Sequence, residues 1–171
     1  TQDAQVGNVS SYIHADVQLA NLKAVDWSKV DFITINYGTN DIASSVALDN
    51  ENNKKDTATL LGALRYSIET ILTAYPHIKI LLLTPIYRYW NDEDKDSDEK
   101  TFSSGAFTVY IDGIIDVAKE YKIPVVDMYR TLGFNKITRV YYYPSNDGTH
   151  PNALGLKVMA GKIAGKLLSE Y

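Results

Sequence analysis

Val30-Asp31-Phe32-Ile33-Thr34-Ile35-Asn36, followed by Tyr37-Gly38-Thr39-Asn40-Asp41, is the stretch on which the fold turns. Its first part is β-branched and aromatic without strict apolar–polar alternation, the pattern of a strand covered on both faces. Its second part is a loop. Gly38 permits a sharp turn, and Asn40 carries an amide that can donate to an oxygen developing negative charge. A strand buried on both faces belongs to a parallel sheet, so helices and strands are expected to alternate around it.

Downstream they do. Asp49 to Asp56 is polar and reads as a solvated loop, with Asp56 or Thr57 available to cap a helix. Leu60, Leu61, Leu64, Ile68, Ile71, Leu72 and Tyr75 then recur at helical spacing, Arg65 and Glu69 face away, and Pro76 ends the run. Ile78 to Leu83 is a second buried strand, closed by Thr84-Pro85. A helix with Phe107, Ile111, Ile114, Ile115 and Ala118 on one face leads to a short third strand, Ile123 to Val126, ending at Asp127. Parallel strands with right-handed crossovers are the expected result. Upstream, Thr1 to Ser11 is small and polar without periodicity, and Val17, Leu19, Ala20 and Leu22 predict a modest helix over Ala15 to Ala24.

At the other end of the chain, Ser145-Asn146-Asp147-Gly148-Thr149-His150-Pro151-Asn152 precedes a final helix, with Pro151 suited to its first position. Asp147 and His150 stand three residues apart in a glycine-containing turn. Asp147 can accept a hydrogen bond from one imidazole nitrogen and leave the other free as a base, the orienting half of a nucleophile–base–acid triad. A helix-start cap is the plainer use of the same two residues. The final helix, Pro151 to about Ser169, is expected to turn Leu156, Met159, Ile163 and Leu167 inward, with Gly155, Gly161 and Gly165 allowing close approach to the sheet.

Gly38-Thr39-Asn40-Asp41 after a strand, and Asp147-Gly148-Thr149-His150-Pro151-Asn152 before the terminal helix, together resemble the SGNH (GDSL-type) hydrolase family. The resemblance covers the chain from about Val30 to its end. It implies a three-layer α/β/α sandwich with a parallel sheet, flavodoxin-like in layout. It also implies ester hydrolysis by a Ser-His-Asp mechanism, with His150 as base, Asp147 orienting it and Asn40 in the oxyanion hole. No Gly-Asp-Ser segment occurs, and Gly7 is the only glycine upstream of Phe32. The chain is therefore expected to be one domain, residues 1–171, that is the C-terminal portion of such an enzyme, lacking its first strand or strands and the serine. The strand at Phe32 is then an open edge for that missing segment or for another chain.

In open parallel sheets ligands bind beyond the carboxyl ends of the strands. Those ends lead here to Asn40, Pro85 and Asp127, so Asn40 and His150 are predicted to converge. Tyr37, Gly38, Pro85 and Arg88 are the candidate substrate-binding residues, and Asp41 is expected to brace its loop by accepting backbone N–H bonds. Tyr87-Arg88-Tyr89-Trp90 and Tyr141-Tyr142-Tyr143 offer rings for sugar faces, which suits an acylated carbohydrate as the ester; packing beneath long loops is the plainer role. A non-catalytic carbohydrate-binding module on the same fold is the alternative function.

Composition narrows the rest. With 45% hydrophobic and 22% charged residues over 171 positions, the chain suits an ordinary soluble domain with a real core. A net charge of -4 argues against general nucleic-acid binding, and zero cysteines exclude thiol catalysis, disulfides and cysteine-ligated zinc. No apolar run approaches membrane-spanning length. Asp92, Asp94 and Asp96 alternate like the start of a calcium loop, but Ser97 and Ser103 stand where glycine and glutamate belong, so Asn91 to Lys100 is expected to be solvated loop. His14 in His-Ala-Asp lacks a third metal ligand, and His77 is expected to face solvent. No metal or cofactor is expected. No glycine-rich phosphate loop follows a strand, which disfavours a nucleotide-binding domain. The compartment stays open, with a secreted or extracellular one compatible with the absence of cysteine.

Overall fold

The two apolar runs, Phe32–Ile35 (β1) and Lys79–Leu83 (β2), form adjacent parallel strands in a computed structural model that describes residues 15–170. His14, Gly7, Ser10 and Ser11 lie outside the described residues. Phe32 pairs with Lys79 and Ile35 with Leu82, while Leu82 and Leu83 pair on their other side with Val125 and Val126. β2 is therefore central, and from Ile80 to Leu83 it is wholly buried, as its unbroken apolar run requires. Among the described strands β1 is at an edge, and Phe32 is 45% exposed.

The helices supply the outer layers of an α/β/α sandwich. Ala15–Ala24 (α1) leads through a 3₁₀ turn at Trp27–Lys29 into β1, and the Trp27 ring stacks on Tyr75 at 5.9 Å. After β1 come the short helix Thr39–Ala43 (α2) and the long helix Leu60–Ala74 (α3). The cap of α3 is Thr59, whose Oγ1 accepts the Gly62 N–H at 3.2 Å; Asp56 and Thr57, the expected caps, lie one turn too early. Arg65 does not face away. It is buried and bridges Asp49 and Glu120 at 2.9 Å each. Burial opposes its charge, and those two carboxylates more than restore it. The loop from Asp49 is thereby tied down at its start rather than fully solvated.

Between β2 and the helix Phe107–Glu120 (α4), the chain makes two small antiparallel hairpins, Tyr89–Trp90 (β3) with Lys95–Asp96 (β4) and Thr101–Phe102 (β5) with Gly105–Ala106 (β6). The acidic stretch is largely exposed as expected, with Asp96 and Ser97 buried, but it is ordered by hydrogen bonds rather than free. Asp94 accepts the Tyr89 hydroxyl, Asp96 accepts Tyr87 at 3.1 Å, and Asp98 accepts Tyr129 at 2.6 Å. Asp94, Asp96 and Asp98 each take a tyrosine hydroxyl, while Asp92 takes none among the described residues. Leu60, Leu64 and Ile68 of α3 and Ile111, Ile114 and Val117 of α4 share one core with β2.

The third strand is Val125–Val126 (β7), followed by the short helices Met128–Thr131 (α5) and Arg139–Tyr142 (α6) and the terminal helix Ala153–Glu170 (α7). Two expectations for α7 fail. Leu156 is 55% exposed, and a Cβ on Gly161 or Gly165 would meet nothing within 4 Å, so these glycines do not mediate close packing. Gly155 does, since a Cβ there would lie 2.7 Å from the Tyr142 carbonyl oxygen. No helix among the described residues is long and apolar enough to cross a membrane.

Candidate active site

β1 ends at Ile35, and after Asn36 and Tyr37 the chain turns at Gly38 with φ +118°, a conformation open to glycine and strained for other residues. The position is also crowded: a Cβ there would come within 3.2 Å of Pro85 Cγ. Gly38 and Pro85 thus pack against each other beneath the surface, and α2 begins immediately with Thr39 and Asn40. The Asn40 side chain is exposed and, among the described residues, its amide makes no hydrogen bond. The Asp41 carboxylate likewise accepts none among the described residues, contrary to its expected bracing role. Only its backbone carbonyl is engaged, by the Val46 N–H at 2.9 Å.

The second turn is built in the opposite manner. Asp147 Oδ1 accepts the N–H groups of Thr149 (2.7 Å) and His150 (2.9 Å), and Oδ2 lies 2.8 Å from His150 Nδ1. With a carboxylate at that distance Nδ1 carries the proton, which leaves Nε2 as the acceptor on a side chain that is 82% exposed. The backbone N–H groups of His150 and Thr149, and then the imidazole, pull the Asp147 pKa down to about 2. A carboxylate so held stays ionised at any pH at which an imidazole is a useful base.

Neighbours fix this turn from three directions. Gly148 lies against β3 so closely that a Cβ would stand 2.1 Å from the Tyr89 carbonyl oxygen, and the Tyr89 N–H donates to Gly148 O at 2.9 Å. The buried Tyr143 hydroxyl donates to Tyr87 O at 2.5 Å. Asn152, not Pro151, caps α7: its Oδ1 accepts from Leu154 and Gly155, while its Nδ2 donates to Tyr141 O at 2.8 Å. Sequence reasoning missed Gly148 and Asn152. A glycine beside an acid–imidazole pair, and an asparagine just ahead of a helix, were the available signals.

The two turns face one cavity of about 210 Å³, lined by Asn36, Thr39, Asn40, Ile86, Thr149, His150, Pro151 and Met159. Asn40 and His150, 110 positions apart in sequence, thus share a pocket at the carboxyl end of β1. Among the described residues no serine lines it. Asn36, Thr39, Ile86 and Met159 were not anticipated. Tyr37, Gly38, Pro85 and Arg88 do not line it: Gly38 and Pro85 are buried against each other, Tyr37 is exposed, and Arg88 is half-buried against the Trp90 ring. The aromatic runs are largely structural, because Tyr87, Tyr89 and Tyr143 are buried and Tyr142 packs on Phe134 at 4.6 Å. Trp90 is half-buried, and Tyr37 and Tyr141 are the more exposed rings. His77 is exposed, edge-on to Tyr75. No group of three or more acidic or histidine side chains among the described residues is arranged to hold a metal ion.

The fold and site define an α/β/α sandwich with a carboxylate-tethered imidazole and an exposed amide over one cavity. A sequence profile of the GDSL-like Lipase/Acylhydrolase family matches residues 3–158, and the chain belongs to that family. Solved structures share the fold. A Lactobacillus plantarum protein is 24% identical with a TM-score of 0.70, over 88% of this chain and 72% of its own. A possible lipase from Chitinophaga pinensis is 19% identical with a TM-score of 0.64, over 85% and 75%. A variant of an acetyl-xylooligosaccharide esterase from Geobacillus is 20% identical with a TM-score of 0.54, over 91% and 67%. No match is found among curated proteins.

Proposed function

We propose that this protein hydrolyses acyl or acetyl esters by a serine mechanism in which His150 is the general base, Asp147 orients it and Asn40 donates to the oxyanion. The observation that carries this reading is the shared cavity, with Asn40 and His150 in its wall and the imidazole tethered at 2.8 Å to Asp147. The serine is supplied from outside the described residues. β1 is the outermost of the described parallel strands and runs to the mouth of the cavity, so a strand laid alongside it would carry that hydroxyl to the site.

In the acylation step His150 Nε2 takes the hydroxyl proton as the serine oxygen bonds to the ester carbonyl carbon. The carbonyl electrons move onto oxygen, where the Asn40 amide donates to them. Collapse expels the alcohol, which takes the proton from the imidazolium. Water repeats the sequence on the acyl-enzyme and releases the acid. Asp147 keeps Nδ1–H pointed inward throughout and favours the imidazolium as it forms. An ester on a hydroxylated carrier such as an acylated carbohydrate suits the open cavity, with Tyr37 nearby. Domain organisation follows the same reading, with residues 1–171 as one unit of the catalytic fold.

The test is hydrolysis of an aryl acetate and of acetylated oligosaccharides by the whole gene product, alongside its His150→Ala variant. Turnover that falls by about 10²–10⁴-fold in the variant supports the base assignment. Turnover unchanged in His150→Ala contradicts it. Glycan binding with no hydrolysis at all would favour the carbohydrate-binding alternative.

A further inference from the structure

Asn36 and Thr39 line the cavity, yet ester hydrolysis as described gives them nothing to do. Neither side chain makes a hydrogen bond among the described residues. Thr149, in the facing turn, uses only its backbone N–H, on Asp147, and its hydroxyl is likewise open. Elsewhere such groups are engaged: Thr59 Oγ1 donates to Asp56 O at 2.9 Å, Thr131 Oγ1 to Asp127 O at 2.5 Å, and Asn152 uses both ends of its amide. Three open polar side chains thus gather around one cavity, besides Asn40 and the free Nε2 of His150. Ile86, Pro151 and Met159 supply its apolar surface.

The backbone holds Asn36 and Thr39 firmly. β1 is paired with β2 as far as Ile35 and Leu82, one residue before Asn36. Gly38 is buried against Pro85, and its carbonyl accepts the Ile42 N–H at 2.9 Å, which starts the helix that carries Thr39. Selective recognition requires side chains presented in this way from a fixed frame. At about 210 Å³ the cavity is smaller than the roughly 300–1,000 Å³ of sites for drug-sized ligands, so it takes one small ring or a short chain. Whatever enters displaces water from Asn36, Thr39 and Thr149. A hydroxylated group returns the hydrogen bonds they lose, whereas an alkyl group leaves them unpaired at a cost. Selection of this kind rejects the apolar analogue as much as it holds the polar one.

We propose that Asn36 and Thr39 are specificity-determining residues: from the cavity wall they hydrogen-bond hydroxyl groups of the ester's alcohol, and so favour polyol or sugar esters over esters of apolar alcohols of the same shape. The hydroxyls belong to the alcohol because an acetyl group has none. Thr149 adds a contact from the opposite turn, and Ile86, Pro151 and Met159 meet the C–H faces of the same group. A sugar ring, polar at its rim and apolar on its faces, matches such a wall. The inference rests on the esterase reading and deepens it. It moves substrate selection from Tyr37 and Arg88, which lie off the cavity, to two residues that line it.

The test is a ratio. For the whole gene product, kcat/KM is measured on methyl glucoside acetylated at its primary hydroxyl and on cyclohexylmethyl acetate, which has a similar outline without the hydroxyls. The parent is compared with Asn36→Leu and Thr39→Val. The parent should favour the sugar ester by about 10²-fold, roughly tenfold for each of two hydrogen bonds, and each variant should lose about tenfold of that preference, mainly through KM. A parent that prefers the cyclohexylmethyl ester, or folded variants that keep the parent's ratio, overturn the proposal. Should one variant not fold, the other decides. Binding of methyl glucoside alone, followed by saturation-transfer NMR, separates this inference from the esterase reading. If no ester is hydrolysed but the glucoside binds the parent and not Asn36→Leu, the esterase reading fails and the hydroxyl-binding role stands. If no ester is hydrolysed and the glucoside signal is absent, or equal in Asn36→Leu, both are overturned.

Discussion

From Asp147 to Asn152 nearly every polar side chain is committed to the protein, whereas from Gly38 to Asp41 the polar side chains are left open, although both turns face the same cavity. Asp147 spends its carboxylate on two backbone N–H groups and the imidazole, and Asn152 spends both ends of its amide on α7 and on Tyr141. Asn40 spends nothing among the described residues. Buried polar groups must find partners within the protein, while an exposed amide can wait for one. The difference separates two tasks. A base has to be oriented before substrate arrives, and an oxyanion donor has only to be aimed at where charge will develop.

The comparison is sharpest at Asn40. Asn40→Ala in the whole gene product should lower kcat for an aryl acetate by about 10²–10³-fold. Its melting temperature should barely change, because among the described residues the exposed Asn40 amide makes no hydrogen bond to lose. A variant that melts early and keeps its turnover would make Asn40 a brace and erase the contrast.

On the committed side the costs should appear as stability. Gly148→Ala drives a methyl group into Tyr89 O and should destabilise by at least about 1–3 kcal/mol. For a chain of this size that is a drop of several degrees in thermal midpoint, at about 2–4 °C per kcal/mol. Asn152→Ala removes the α7 cap and should cost about 1 kcal/mol. Calorimetry measures both, and a parent-like midpoint in Gly148→Ala would show that the turn yields easily.

Acid offers a further probe of the same turn. The folded-state pKa of Asp147 is depressed to about 2, against roughly 3.9 for an unfolded aspartate. A depressed carboxylate contributes stability that is complete above its unfolded pKa and is lost as pH falls through the folded one. Asp147→Asn should therefore flatten the melting temperature between about pH 4 and pH 2 relative to the parent. Equal slopes would mean that other carboxylates carry the acid sensitivity. The smallest effect belongs to Asp41→Asn, which should change stability by no more than about 0.5 kcal/mol.

Much of this layout was legible in the chain itself. The run into Leu83 announces a buried parallel strand because no face of it is polar; Phe32–Ile35 reads the same way and is parallel to it, yet only Ile35 of that strand is buried among the described residues. Asp147 and His150 announce each other because three residues in a glycine turn bring an acid onto an imidazole. What stayed hidden depends on partners far away in sequence. Arg65 sits at a helical position that reads as solvent-facing, yet Asp49 and Glu120 close over it. Asp98 reads as solvated, yet its hydroxyl partner Tyr129 comes from 31 positions on. The strands at Tyr89 and Lys95 are two residues each, too short for periodicity to register. The outer face of α7 misled for the converse reason: its apolar spacing is helical, but Leu156 meets nothing that covers it.

The central claim is that Asn40 and His150 serve one transition state in one cavity. The most direct measurement is kcat/KM of the whole gene product for an aryl acetate in Asn40→Ala, His150→Ala and the double variant. Residues acting as a unit on the same reacting centre lose much less together than the product of their separate losses, and the double variant should be little slower than His150→Ala alone. Fully multiplicative losses, or an Asn40→Ala enzyme as fast as the parent, would contradict the account.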